Sequence, residues 1–392
     1  MPKIIPIFQT DYALTSLPPL SLYIHIPYCV RKCPYCDFNS HPIPTTLPEN
    51  EYIDALILDL QQELPNVWGR KIHSIFIGGG TPALFQATSI EKLLNTIRSY
   101  FVLEPDAEIT LEANPGVFEQ DKFKHFHLAG ITRLSLGVQS FSDLHLKQIG
   151  RIHSAQEAQL ALEKALNIFP QVNIDIMYAL PQQSVENAVN DINIAISSGV
   201  SHISAYQLTI EENTAFSHSP PKNLPNDELI VDIENAIYER LFQATFERYE
   251  ISAFTKQEHF CKHNLNYWHF GDYIGIGAGA HGKISYHDKI ERSIKTSHPK
   301  QYIQQIFSQE PFARRHTVAS KDLPFEFMMN ALRLNNGIAT TLFSERTGLP
   351  FSAISNTIDR ARQKGLLQQD ENIIQTTQQG RLFLNELLTM FL

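Results

Sequence analysis

The chain has 392 residues, of which 43% are hydrophobic, enough to bury a large core. That excludes a disordered chain, and four cysteines in such a length exclude a small disulfide-stapled domain. A net charge of −9 excludes a generic nucleic-acid binder, which needs a basic footprint. No run of 18 apolar residues occurs, so no membrane span is expected. Residues 1–20 lack the charged and apolar blocks of a secretory leader. Cytoplasmic residence follows as the expectation, with peripheral membrane contact left open.

Taken in order, strand-like and helix-like runs alternate. An apolar strand at 22–26 is followed by a helix that Asn50 caps, with Ile53, Leu56, Leu60 and Leu64 at helical spacing. Strands are expected at 74–77, 108–113, 133–138, 172–180 and 202–210. Helices are expected at 89–101, 119–128, 155–169, 185–197 and 227–246. Six β-then-α units in about 230 residues build a parallel sheet with helices outside. Six rather than eight predict an incomplete (β/α)6 TIM-like barrel, class α/β. Residues 249–287 are dense in Gly, His and aromatics and are expected to close one side of the sheet. Residues 298–321 read as a connecting segment. From 323 short helices (325–334, 340–346, 352–364, 378–391) and a hairpin at 372–376 suggest a winged-helix-like α+β domain. The resulting division is an extension (1–20), the barrel (21–248), a closing and connecting region (249–319) and the C-terminal domain (320–392). That last domain balances seven Lys/Arg against seven Asp/Glu. It therefore reads as an interaction or lid domain rather than a DNA reader.

Three of the four cysteines fall in Cys29-Val-Arg-Lys-Cys33-Pro-Tyr-Cys36. Soft thiolates select iron–sulfur clusters, zinc or copper(I). An iron–sulfur cube normally takes four cysteines, so three leave one iron for a small molecule. Zinc is the rival. A structural zinc site usually pairs C-x₂₋₄-C with a distant second pair; here the only other cysteine, Cys261, is far away in sequence, though His25, His41 or Asp37 could complete such a site. In a parallel α/β barrel the working face lies at the C-terminal strand ends. The cysteine loop, the Gly78–Gly80 turn, Glu112, Gln139, Asp175 and Arg151 all map there. Each alone is weak; their convergence on one rim is the signal.

Tyr23-Ile24-His25-Ile26-Pro27 leading into C-x₃-C-x₂-C resembles the radical S-adenosylmethionine (SAM) superfamily. Gly78-Gly79-Gly80-Thr81-Pro82 is similar to its methionine-binding glycine stretch. Leu136-Gly137-Val138-Gln139-Ser140-Phe141 and Asp175-Ile176-Met177-Tyr178-Ala179-Leu180-Pro181 resemble the branch that holds oxygen-independent coproporphyrinogen III oxidases and the HemW haem chaperones. The resemblance implies a [4Fe–4S] cluster on Cys29, Cys33 and Cys36, with SAM on the open iron. It also implies SAM contacts from Tyr23, Tyr35, Gly79, Gly80, Thr81, Glu112, Gln139, Arg151 and Asp175. Reductive cleavage of the sulfonium belongs to the cofactor; the protein orients, tunes and excludes water.

Within that branch the oxidase carries a further cysteine two residues beyond the triad, where this chain has Phe38. It also has a longer leading segment, whereas only Lys3 supplies a cation among the 22 residues before Tyr23. A tetracarboxylate substrate needs several cations. His263-Asn264-Leu265-Asn266-Tyr267-Trp268 resembles the HNxxYW signature of the HemW family, and the resemblance implies His263 as a haem ligand. From the hexapeptide itself a core histidine is the plainer reading, since aromatic clusters are usually core. Cys261 and His281 are rival ligands. The expected function is a haem chaperone that passes haem to an acceptor apoprotein. The alternatives are a coproporphyrinogen oxidase and a zinc-stabilised binding protein without redox chemistry.

Overall fold

The computed structural model describes residues 13–311 and 313–392. Most of the expected extension therefore lies outside the described residues. Six strands, β1 (Leu20–Ile26), β2 (Ile72–Gly79), β3 (Leu103–Ala113), β4 (Arg133–Gln139), β5 (Gln171–Tyr178) and β6 (His202–Gln207), run parallel in chain order. Each is followed by its helix: α1 (Glu49–Glu63), α2 (Ala87–Tyr100), α3 (Val117–Ala129), α4 (Ala155–Ile168), α5 (Val185–Ser197) and α6 (Asp227–Gln243). Parallel strands are covered on both faces, so they read as near-continuous apolar runs. All seven residues of β4 are buried. Ser154 and Ser184 open α4 and α5 with reciprocal capping boxes, satisfying donors that a helix start leaves unpaired.

The sheet is open, which is the incomplete barrel expected, but it grows past both ends of the six strands. On one side β7 (Glu247–Arg248) and β8 (Ala253–Thr255) follow β6. On the other, β9 (Asp272–Ile276) pairs parallel with β1, and β10 (His281–Ser285), β11 (Ile290–Lys295) and β12 (Ala313–Thr317) extend it antiparallel. The stretch expected to be a connector thus holds a helix, Pro299–Phe307, and an edge strand. The strand leaves no sequence signal because Ala-Arg-Arg-His-Thr is exposed from Arg314 to Thr317 and carries no apolar alternation. Charge is how exposed sheet edges are commonly protected. Buried ion pairs fasten this extension to the barrel. Lys295 Nζ lies 2.6 Å from both Asp59 and Glu63 of α1. Arg70, just before β2, lies 2.8 Å from Asp272 of β9, which Lys283 of β10 also meets at 2.9 Å.

The C-terminal domain has its own apolar cluster, centred on Phe327, Phe343 and Ile358 and joined by Phe270 from before β9. Helices Leu323–Ala331, Thr341–Thr347 and Ser352–Gln363 surround a two-stranded ladder, Ile338–Ala339 with Ile373–Ile374. The hairpin closes through a Leu367–Thr376 bridge. The single helix expected at 378–391 is two, Gln378–Leu382 and Leu384–Thr389, broken at Phe383. The winged-helix-like reading of this part holds.

Candidate functional site

At the C-terminal rim of β1 to β6 lies a cavity of about 350 Å³. The cysteine loop forms one wall. Each of its sulfurs faces a polar neighbour: Thr81 Oγ1 donates to Cys29 Sγ at 3.6 Å, Arg151 Nη1 donates to Cys33 Sγ at 3.6 Å, and Ser40 Oγ lies 3.8 Å from Cys36 Sγ. Such donors suit anionic sulfur, because hydrogen bonds around a cluster's thiolates tune it. Burial pushes the Cys29 and Cys36 thiols up, so metal binding has to displace their protons. No three His, Cys, Asp or Glu side chains among the described residues gather around a single metal-ion position.

The opposite walls carry the polar residues. Gly79 has φ +111° and its N–H donates to Glu112 Oε2 at 2.9 Å. A Cβ there would overlap the His25 ring, so only glycine fits this turn. Burial, then the Asp175 charge, pushes Glu112 up to about 7 despite the Gly79 bond. Burial likewise raises Asp175, with Asn173 Nδ2 donating to it at 2.8 Å. Arg151 donates from Nη2 to Asn114 Oδ1 and to the Gly137 carbonyl, both at 2.7 Å, while its buried Nε has no partner among the described residues. Gln139 sits at φ +68° where the β4–β5 register shifts, held by a hydrogen bond from Tyr206 at 2.6 Å. Such backbone strain in a non-glycine residue clusters at functional sites.

Eight of the nine expected SAM contacts, from Tyr35 to Asp175, line this one cavity with the three cysteines. Tyr23 does not. It lines a second cavity of about 280 Å³ on the β9–β10 side, and its hydroxyl bonds His25 Nδ1 at 2.9 Å. Two residues that sequence reasoning passed over hold the first site together. Asn114 links Arg151 to Thr81, donating to Thr81 Oγ1 at 2.8 Å, and Tyr206 fixes Gln139. Asn114 directly follows β3, and that place on the rim is the available signal.

Residues 23–194 match the family model of the radical SAM superfamily, and residues 318–383 that of the HemN C-terminal domain. The "Heme chaperone HemW" of Haemophilus influenzae is 48% identical to this chain over 97% of it and 99% of its own length. That of Escherichia coli is 45% identical over 97% and 100%. The chain belongs to the HemW family. A more distant relative of the same name, from Bacillus subtilis, is 33% identical over 95% of this chain and 99% of its own. The solved Escherichia coli coproporphyrinogen III oxidase HemN shares the fold, with a TM-score of 0.81 over 96% of this chain and 90% of that one, at 24% identity.

The HemW signature histidine, His263, sits away from the cysteine cavity. It is 1% exposed, and both ring nitrogens are engaged, Nδ1 with Ser74 Oγ at 3.0 Å and Nε2 with Tyr267 Oη at 2.9 Å. Burial lowers it to about 3, so the ring is neutral but has no free lone pair aimed at a ligand. The core-histidine reading describes its geometry. The rival Cys261 is buried against Glu108, with Sγ 3.5 Å from Oε1. The other rival, His281, is exposed at the mouth of the second cavity.

Proposed function

We propose that this chain binds haem and passes it to an acceptor apoprotein, and that Cys29, Cys33 and Cys36 hold a [4Fe–4S] cluster whose open iron takes SAM. The full-length similarity to proteins named heme chaperone HemW carries the chaperone reading. The cavity supports the cofactor set through its three donor-matched sulfurs and its unpaired Arg151 Nε. When bound, the cluster and SAM supply one-electron chemistry of their own.

The chain's residues do the rest. Arg151, anchored by Asn114 and Gly137, presents a planar cation to the SAM carboxylate. Glu112 and Asp175 offer carboxylates to its ammonium and ribose hydroxyls. Gly79 and Gly80 bring backbone close to the methionyl part, and Tyr35, Thr81 and Gln139 pack the remaining walls. Phe38 is 57% exposed where the oxidase branch has its extra cysteine, which favours the chaperone over the oxidase.

The test is anaerobic reconstitution, haem loading and mixing with a b-type apo-haemoprotein. Transfer of the haem absorbance to the acceptor is expected, with no turnover of coproporphyrinogen in the presence of SAM and reductant. Failure to hand over haem overturns the chaperone reading. Decarboxylation of coproporphyrinogen replaces it with the oxidase.

A further inference from the structure

A haem seat needs a flat apolar wall, an available axial donor and cations for two propionates. Among the described residues, one place offers all three. The second cavity adjoins a third of about 570 Å³, and His281 and Arg292 line both. The pair forms one cleft between the β10–β11–β12 sheet extension and the C-terminal domain. Sheet register arranges its floor, with Arg314 on the same face just beyond the residues that line the two cavities. His281, Ile294 and Arg314 pair in one row across the three strands, and Lys283, Arg292 and His316 pair in the next. Residues two apart on a strand share a face, so both rows face the same way. Opposite stands the apolar edge of the C-terminal domain, where Met329 is 44% and Leu392 82% exposed.

The polar groups divide clearly. Arg292 is committed to Glu326 at 2.7 Å, and Lys283 to Asp272. The side chains of His281, Arg314 and Lys321 have no hydrogen-bond or ion-pair partner among the described residues. His281 therefore differs from His263, whose two nitrogens are both used. Partial desolvation of the ring and the nearby Arg292 charge also lower His281, which favours the neutral imidazole that ligates iron.

We infer that this cleft is the haem seat, with His281 as the axial ligand, Arg314 and Lys321 as the propionate partners, and the Ile294–Met329–Leu392 surface against the macrocycle. The inference rests on the haem-chaperone reading and locates its cargo. It places haem on the face of β1 that Tyr23 occupies, apart from the cysteine cavity.

Fe(III) protoporphyrin IX titrated into the full-length, cluster-reconstituted chain tests it. In His281→Ala the affinity falls about tenfold or more, the histidine-ligated visible spectrum is lost, and added imidazole restores it. In Arg314→Glu/Lys321→Glu haem affinity falls by a similar factor, whereas the affinity for haem dimethyl ester does not. Both variants change surface residues and keep the cluster absorbance. His263→Ala, tested beside them, keeps the ligand spectrum. If the wild type binds haem and His281→Ala binds it equally with an unchanged spectrum, the seat is overturned while the chaperone reading stands. Loss of ligation in His263→Ala alone overturns it too. If the wild type takes up no haem, both fall.

Discussion

Glu112 gives the cysteine cavity a titration in the physiological range. Its carboxyl stands at about 7 against an ordinary value near 4.5, because burial and the Asp175 charge outweigh the Gly79 N–H bond. SAM brings a sulfonium and an ammonium, and both favour the ionised carboxylate. Proton and ligand therefore compete, and affinity rises with pH. A group titrating at about 7 is roughly one tenth ionised at pH 6 and about one half ionised at pH 7. The expected gain in SAM affinity over that interval is about fivefold. The ligand's amino group, with an ordinary value of about 8, stays largely protonated there. Glu112→Gln keeps the shape and the acceptor for Gly79 but removes the titration, so its affinity is lower at pH 7 and flat from pH 6 to 7. The same shift acts on the ligand-free fold with the opposite consequence. The folded state holds the Glu112 proton more tightly than the unfolded chain, so stability falls as pH climbs from the ordinary carboxylate range to about 7. Isothermal titration of SAM into the anaerobically reconstituted chain at pH 6, 6.5 and 7 reads the effect. A flat wild-type profile, or a slope that survives in Glu112→Gln, refutes the reasoning.

Cys33→Ala is expected to abolish the visible absorbance of the reconstituted cluster; an unchanged spectrum counts against the triad. Arg151→Lys keeps the charge but loses the fork whose Nη1 meets Cys33 and whose Nη2 meets Asn114 and Gly137, and SAM affinity should drop about tenfold by the same titration. Lys283→Met leaves Asp272 buried with Arg70 as its remaining cation at 2.8 Å. Stability in chemical denaturation should fall by roughly 3 kcal/mol, the scale for breaking a buried pair. Asn39 donates to the carbonyls of Ala278 and Ser297, both at 2.8 Å, and so ties the cysteine loop to the turn before His281. That tie predicts that haem affinity differs between the cluster-loaded and cluster-free wild type and that the difference shrinks in Asn39→Ala; no difference in the wild type, or an equal one in the variant, refutes it.

The barrel was legible because its physics is repetitive. Strands buried on both faces must be apolar, and helices between them must show a 3.6-residue period, so β1 to β6 and their helices could be found one by one. The cysteine cavity was legible for a related reason. A parallel barrel delivers all its strand ends to one rim, so residues scattered from Cys29 to Asp175 had to meet there. Two kinds of element were not legible. The β12 edge strand faces solvent and has charge where a pattern would be. Tyr23 adjoins the cysteine motif in sequence, yet a strand sends alternate side chains to opposite faces, and nothing in the motif says which face Tyr23 takes.

His263 carries the same lesson further. A signature can be needed for a site without touching its ligand. His263 bonds Ser74 of β2 and Tyr267, Asn266 Nδ2 donates to the Asp272 carbonyl at 2.9 Å, and Trp268 lies under Arg333 at 4.3 Å. A Cβ on Gly271 would overlap the Asn266 side chain, so the helix Lys262–Trp268 is seated closely against the start of β9. Tyr267 and Trp268 then line the second cavity beside Tyr23. The hexapeptide thus builds the wall between barrel and cleft, and an alanine at His263 loosens that wall through Tyr267 even when the iron is held elsewhere. Loss of haem in such a variant is therefore ambiguous by itself. A spectrum that keeps its histidine signature at reduced affinity marks a positioning role, and a spectrum that loses it marks a ligand.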